Sequence, residues 1–473
     1  MNLSRRNFMQ AALLGGAALS GGAALSAVAT HQRRPLPLSP LPRAADFAGL
    51  APSTAALKSQ FLALGRFFPS LLDPDAAGGP FIGNTLSSNN CFADYIRQGE
   101  PGNSVFLRQG DARATIPWTP IFLRENNQLL QLPSSVTRQI DCSDLLVMNE
   151  SSPRYPVFGN KARKYEFLLP NLKWSGSKRL GTVGAVSSNH ALQFALANRL
   201  ADLTGDGQPL NCALDLVLFE VPGATTDMAR LGILRGLVEH VAIAKNNIEL
   251  VGEASQEYAR NWLHPDTDSL VPPGGSNDLS VLGHMNAIAE LAQFLSAAQA
   301  WSAPPDVIFV AMGSGSTVLG LLLGVHLMGW KTKVVGVADQ DKSYLTRWLV
   351  NGQPSLPFVE GNVDKLARST VEWLQKIRFP GISPDVLRVI QDEIFVPDSS
   401  SWQPGYGLVE ATDLAWANEL EEAGLSLDPV FTLKAWRSLL TMSKAGGLKN
   451  KKVLFWNTYN SFDYMPPLLS SLG

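Results

Sequence analysis

Residues 307–328 read VIFVAMGSGSTVLGLLLGVHLM. An apolar strand core, Val307 to Val310, runs into Gly313, Ser314, Gly315, Ser316 and Thr317, and a helix-forming stretch follows. A further strand-like run, VVGVA at 334–338, completes the pattern of a βαβ unit. In such a unit the glycine-rich turn sits at the C-terminal end of a strand and at the N-terminus of a helix. Free backbone N–H groups and the helix dipole favour an anion there. Glycines let the backbone approach closely, and the hydroxyls of Ser314, Ser316 and Thr317 add donors. A phosphate is the natural occupant. Neither GxGxxG nor GxxxxGK[ST] is matched, which weakens dinucleotide and nucleoside triphosphate readings. Taken alone, the loop fits a helix-capping Gly-Ser turn about as well as a phosphate cup.

Outward from this unit, short apolar runs at 179–183, 215–221, 307–311, 333–337 and 452–456 alternate with longer helical patterns such as 190–203. That alternation, which begins after Pro117, predicts an α/β fold with a mostly parallel sheet. Turns are expected at 272–276, PPGGS, and at Pro380-Gly381. Residues 45–116 are irregular and carry no assignable function; an extra lobe, a lid and an oligomer contact all fit. The segment 30–43, THQRRPLPLSPLPR, reads as an extended linker.

With 473 residues, 45% of them hydrophobic and 17% charged, the chain can bury a large core in two or three domains. A net charge of -2 gives no basic surplus, so neither nucleic acid nor an acidic membrane face is an expected partner. Residues 1–29 combine Arg5-Arg6, a weakly apolar Ala/Gly stretch and Ala27-Val28-Ala29, a signal peptide of the twin-arginine (Tat) type that is cut off after export. The mature protein is then expected in the periplasm, free of the membrane. Tat export passes folded chains, which hints at a group bound beforehand. A membrane anchor is the alternative for 11–29, but Gly and Ser dilute its apolar character. Cys91, Cys142 and Cys212 show no CxxC spacing, and the six histidines show no ligand spacing. Neither a disulfide framework nor a metal site is expected.

One cation cluster stands out. Residues 158–169, FGNKARKYEFLL, place Lys161, Arg163 and Lys164 at the start of a helical run. Three cations there are either a solvated helix start or a chemical site, and composition alone favours the first. A lysine able to hold the far end of a phosphorylated cofactor changes the balance, and pyridoxal 5'-phosphate has both handles.

Several separated motifs then resemble one family in its order along the chain. FGNKARKYEFLL is similar to the (G)GNKxRKLEYL motif of the pyridoxal-phosphate enzymes comprising D-cysteine desulfhydrase and 1-aminocyclopropane-1-carboxylate (ACC) deaminase, of fold type II (tryptophan synthase β-like). VGAVSSNHALQFA resembles GGxQSNHxRQ, GSGSTVLG resembles TGSTxAG, QPGYGL resembles PxYG, DPVFTLKA resembles DPVYxGKA, and VLFWNT resembles VLFWHTGG. The likeness covers about 115–473. It implies two α/β domains with open, twisted, mostly parallel sheets and the cofactor in the cleft between them. The large domain would be 115–165 plus 284–473, the small one 166–283, after an extension at 30–114; family members are usually homodimers.

The resemblance also assigns roles. Lys161 would bond to the cofactor aldehyde and, once released by the substrate amine, act as the base; Arg163 and Lys164 would hold the fold and tune charge. Ser188 would stand near the reacting carbon and carboxylate, and Asn189 would hydrogen-bond the cofactor ring hydroxyl. His190 is either a substrate contact or a helix-start residue satisfied by backbone. Gly313, Ser314, Gly315, Ser316 and Thr317 would bind the phosphate. Tyr406 would face cofactor and substrate, Phe431 would line the substrate side, and Thr458 would hydrogen-bond the pyridine nitrogen. A hydroxyl at that nitrogen favours β-elimination.

Within the family, ACC deaminase carries DPVYEGK, whereas Phe431 and Thr432 here lack the phenol and the carboxylate. The expected activity is that of an exported lyase on a small amino acid, by α-proton abstraction and β-elimination, most like D-cysteine desulfhydrase. Alternatives are ACC deamination, racemisation, dehydration, or a cofactor-holding protein without turnover. Three departures stand beside this: 148–152 read MNESS where a KRED-type stretch is usual, Phe158 replaces the first glycine of GGNK, and HTGG has become Asn457-Thr458-Tyr459-Asn460.

Overall fold

The computed structural model describes residues 104–109, 112–117, 129–150, 158–199, 209–221, 228–297, 301–339, 358–376, 379, 381–405 and 408–459. The expected signal at 1–29, most of the extension at 30–114 and Tyr406 lie outside them. Twelve strands are described: β1 (Ser104–Gln109), β2 (Ala112–Pro117), β3 (Leu129–Gln131), β4 (Asp144–Asn149), β5 (Arg179–Ala185), β6 (Ala213–Phe219), β7 (His240–Ala244), β8 (Asp268–Val271), β9 (Val307–Met312), β10 (Lys333–Ala338), β11 (Phe395–Asp398) and β12 (Lys452–Asn457). The longer helices are α1 (Lys161–Trp174), α2 (Asn189–Arg199), α3 (Met228–Leu237), α4 (Asn247–Leu263), α5 (Asp278–Ala297), α6 (Ser316–Leu327), α7 (Phe358–Lys376), α8 (Ala411–Glu422) and α9 (Thr432–Lys444).

The strands form two main sheets. A six-stranded sheet has the order β11-β10-β9-β12-β4-β3, parallel except for β3, and a four-stranded sheet has the order β7-β6-β5-β8, all parallel. This is the type II α/β architecture. A separate antiparallel hairpin, β1-β2, lies almost wholly within 45–116, the region without an assignable function.

Continuous apolar strands are what a parallel sheet covered on both faces requires. In β9, Ile308, Val310 and Met312 face one core while Val307, Phe309 and Ala311 face another. The neighbours β4 and β12 alternate in register: Leu146, Met148, Leu454 and Trp456 on the first face, Leu145, Val147, Val453 and Phe455 on the second. Helices α5, α6 and α7 cover the first face, and α8 and α9 the second. Each such large side chain, taken out of water, contributes about 1.5–3 kcal/mol.

Helix α6 is buried from Ser316 to Val325, so its apolar character all round belongs to an internal helix. Its glycines set the packing distance. A Cβ on Gly320 would lie 2.4 Å from the His284 Cβ of α5, and one on Gly283 of α5 would lie 2.0 Å from the Arg163 carbonyl oxygen of α1. Helices α1, α5 and α6 are therefore locked together at backbone distance. Helix α1 divides its side chains: Ala162, Tyr165, Leu168 and Leu169 enter the core of the smaller sheet, and Phe167 enters that of the larger.

The strand expected at 215–221 runs instead from Ala213 to Phe219. Its buried leucines, Leu214, Leu216 and Leu218, have period two and face one core, which sets the register. Strands β1, β2, β3, β4, β7, β8 and β11 lie outside the five expected runs. β8 and β11 are four residues each, and the polar ends of β4 (Asp144, Asn149) and β7 (His240) break the apolar run.

Candidate active site

The sequence motifs converge at the C-terminal ends of the parallel strands, where open α/β sheets place ligands. Gly313 follows β9, Asp339 follows β10, Glu150 follows β4 and Thr458 follows β12; Ser188 and Asn189 follow β5 of the smaller sheet. Lys161 opens α1 behind a turn in which Gly159 takes a positive φ of 52°. The side chain of Asn160 donates from Nδ2 to Thr317 Oγ1 at 3.2 Å. This bond brings the lysine motif against the glycine loop, although 157 residues separate the two partners.

The loop itself fits a phosphate group. Gly315 caps α6 in the left-handed region at φ 94°, and the first helical bond runs from the Leu319 N–H to the Gly315 carbonyl. The N–H groups of Ser316, Thr317 and Val318 precede that bond and are the unpaired donors of a helix start. The loop hydroxyls are otherwise engaged. Ser276 Oγ contacts Ser314 Oγ at 2.6 Å and Ser316 Oγ at 2.9 Å, and Thr317 Oγ1 meets His284 Nε2 at 3.3 Å. The backbone therefore supplies the open donors, and the serines expected to add theirs hold the loop's shape. The turn at 272–276 proves to be the second wall: at Gly274, φ +69°, a Cβ would lie 2.3 Å from Ser314 Oγ.

None of the three cations of the motif is a solvated helix start. Arg163 is 0% exposed and bridges two carboxylates, Nε to Glu150 Oε1 at 2.5 Å and Nη1 to Glu290 Oε2 at 2.7 Å. Glu290 Oε1 also accepts from Asn286 at 2.9 Å. Burial pushes the Glu150 carboxyl up, and Arg163 pulls it back. Lys164 is buried and donates to the Gly274 carbonyl at 2.9 Å and to Ser276 Oγ at 3.3 Å. Burial, with Lys161 next, lowers its amine to about 7. Lys161 keeps part of its surface accessible, yet enclosure of its amine lowers it to about 8. Asp428 opposes that shift and Arg230 adds to it. A lysine in this condition has a minor neutral, nucleophilic fraction at neutral pH, and Lys164 a larger one. Basicity therefore does not distinguish the two, and among the described residues only Lys164 of the pair is tied to the 272–276 turn by hydrogen bonds.

The other expected residues divide. Ser188 Oγ accepts from the Ala191 N–H at 3.3 Å as the cap of α2, and Asn189 Oδ1 accepts from Arg230 at 2.7 Å. Phe431 packs against Gly313: a Cβ on that glycine would lie 3.0 Å from Phe431 Cε1. Thr458 is partly exposed, just beyond the edge at which the Glu150 N–H bonds the Asn457 carbonyl at 3.0 Å. His190 turns inward. Its Nδ1 meets Tyr165 OH at 3.4 Å and its Nε2 meets Thr182 Oγ1 at 3.3 Å, so both ring nitrogens are taken up in the smaller core. Burial holds the imidazole well below its usual range and therefore neutral.

Several residues here had not been singled out. Ser276 and Gly274 stood in a visible glycine turn, and Glu150 in the altered KRED-type stretch, so both had a signal. Asp428 is 6% exposed and accepts from the N–H groups of Val430, Phe431 and Thr432, which fixes the Phe431 turn. Asp339, whose Oδ2 lies 3.4 Å from a Cβ built on Gly313, and Arg230 had no local signal. No group of His, Cys, Asp and Glu able to hold a metal occurs among the described residues.

Lys161, the open amides of 316–318 and the Phe431 ring packed against Gly313 suit pyridoxal phosphate. Comparison with known proteins agrees. A Pyrococcus horikoshii protein provisionally named 1-aminocyclopropane-1-carboxylate deaminase is 28% identical over 370 residues, 76% of this chain and 95% of the relative. A D-cysteine desulfhydrase of Serratia proteamaculans is 28% identical over 294 residues, 60% of this chain and 76% of the relative. Among solved structures, an ACC deaminase homologue shares the fold with a TM-score of 0.55 at 24% identity, over 80% of this chain and 98% of that one. The model of the pyridoxal-phosphate dependent enzymes matches residues 122–458, more than half of the sequence, and this chain belongs to that family.

Proposed function

We propose that the protein is a lyase acting on a small amino acid by α-proton abstraction and β-elimination, most like D-cysteine desulfhydrase: D-cysteine and water give pyruvate, ammonia and hydrogen sulfide. The observation that carries this reading is the Asn160–Thr317 bond, which seats the start of the lysine motif against the 313–318 turn, next to an enclosed Lys161 amine. When bound, pyridoxal phosphate supplies the electron sink for negative charge at the substrate α-carbon. Lys161 Nζ would hold the cofactor, and its neutral amine would be the base at the substrate α-carbon. The N–H groups of 316–318 would bind the phosphate, Asn189 would hold the ring hydroxyl, Thr458 would serve the ring nitrogen, and Ser188 would serve the substrate carboxylate.

The names of the relatives support both a deaminase and a desulfhydrase reading. The residues favour the second. Phe431 brings no phenol, and Thr432 is 0% exposed with Oγ1 bound to Asp428 Oδ2 at 3.0 Å, so it offers the site no acid. No phenol or carboxylate at these two positions is available to open a cyclopropane.

We further propose Tat export to the periplasm, from Arg5-Arg6 and the apolar stretch behind it; a homodimer; and closure of a 166–283 domain over substrate. Among the described residues no helix is long and apolar enough to cross a membrane.

The test is twofold. Pyruvate, ammonia and sulfide are assayed with both enantiomers of cysteine and with β-chloro-D-alanine, and no release from any of them refutes the lyase reading. Borohydride reduction followed by peptide mapping should place the cofactor on Lys161, and attachment at Lys164 instead refutes the site.

A further inference from the structure

Arg230 lies on α3, an element with no assigned role, and reaches the segment that follows β5. Its Nη1 donates to the Ser187 carbonyl at 2.6 Å and its Nη2 to Asn189 Oδ1 at 2.7 Å. The same segment is held from its other side: the Val186 N–H bonds the Phe219 carbonyl at 3.0 Å, and the Ser188 N–H bonds the Ala185 carbonyl at 2.8 Å. One guanidinium thus braces both the turn and the first residue of α2.

The chemistry of arginine adds direction. A guanidinium has donors and no acceptor, so the Asn189 atom that faces it must be the oxygen. The amide plane is thereby set with Nδ2 on the opposite side, and among the described residues Nδ2 has no hydrogen-bond partner. An asparagine free to flip would present donor or acceptor alike. This one presents a donor only. The cation is also close enough to Lys161 to disfavour a second positive charge on its amine.

We propose that Arg230 is a positioning residue for the cofactor, locking the Asn189 amide so that its N–H, not its carbonyl, meets the ring oxygen of pyridoxal phosphate. The inference rests on the cofactor reading above, through the role given there to Asn189. The charge on Arg230 further favours that oxygen as an anion. Arg230 then acts through Asn189 and through the field at Lys161, without touching substrate.

The test titrates pyridoxal phosphate into the wild-type protein, Asn189→Ala, Arg230→Ala and the double variant, reading the visible band. Each single change should weaken binding about tenfold, the scale of a hydrogen bond involving a charged group. The double variant should bind far better than the product of the two single losses allows, losing beyond Asn189→Ala only the smaller effect of the field at Lys161. Multiplying losses, or wild-type binding by Arg230→Ala, would overturn the proposal. The pH midpoint of the visible band should rise in Arg230→Ala and stay in Arg230→Lys, which keeps the charge and loses the fork; a merely structural brace would leave both unmoved. If Arg230→Ala does not fold by its thermal transition, Arg230→Gln enters the same comparison. A band that survives Lys161→Ala sinks the cofactor reading itself, whereas a band lost there together with an Arg230 cycle that multiplies sinks this inference alone.

Discussion

Replacing Arg163 by Met should unfold the protein far more readily than an ordinary core substitution. The side chain is 0% exposed and binds two carboxylates that are also 0% exposed, at 2.5 and 2.7 Å. Methionine fills similar space but leaves Glu150 and Glu290 buried without their cation. Breaking a buried ion pair from one side costs about 3–5 kcal/mol, and here two carboxylates lose one shared partner, so about 4 kcal/mol is a conservative figure. With a urea slope of about 3 kcal/mol/M, the upper end of the range for small proteins, the midpoint should fall by about 1.3 M.

The loss should also depend on pH. Burial already raises the Glu150 carboxyl, and removing Arg163 takes away the largest opposing influence. A carboxyl raised in the folded state binds more protons there than in the unfolded chain. Stability of the variant therefore falls as pH rises through that interval and recovers as pH falls toward the unfolded carboxyl value of about 4.3. Urea melts followed by circular dichroism at about pH 5 and about pH 8 read both effects. A midpoint shift under about 0.3 M, or an equal shift at the two pH values, would refute the buried-triad reasoning.

Other changes probe the loop, the helix contacts and the lysine. Gly315→Val should reduce pyridoxal phosphate retention in equilibrium dialysis, because φ 94° strains any residue with a Cβ by about 1–3 kcal/mol; undiminished retention would count against the phosphate role. Gly283→Ala should lower the thermal midpoint, since its methyl lands 2.0 Å from the Arg163 carbonyl oxygen and overpacking costs about 1–3 kcal/mol or more. An unchanged midpoint would mean that α1 and α5 are not locked. Cofactor capture by cofactor-free protein, followed in stopped flow, should accelerate with pH and level off above about 8, as the neutral Lys161 amine becomes the main form. A rate independent of pH between about 6 and 9 would exclude that amine as the nucleophile.

What the chain reveals on its own is whatever is written in short range. Strand β9, its glycine turn and helix α6 could be read directly, because a doubly covered strand is apolar at every position and a phosphate turn needs adjacent glycines. The lysine motif could be found too, but not its surroundings. Nothing near 163 in the sequence says that its guanidinium will be buried between Glu150 and Glu290, since that pairing needs β4, α1 and α5 to meet. The direction of His190 was equally hidden. Helix α2 decides which way the ring points, and the hydroxyls that receive it sit on α1 and β5. Arg230 carried no signal because its partners lie 43 and 41 residues away on a different element. Local pattern fixes which segments become strands, turns and helices. Which buried charge is neutralised, and which donor is left to face a ligand, depends on desolvation and on contacts between distant segments, and these exist only once the chain has packed.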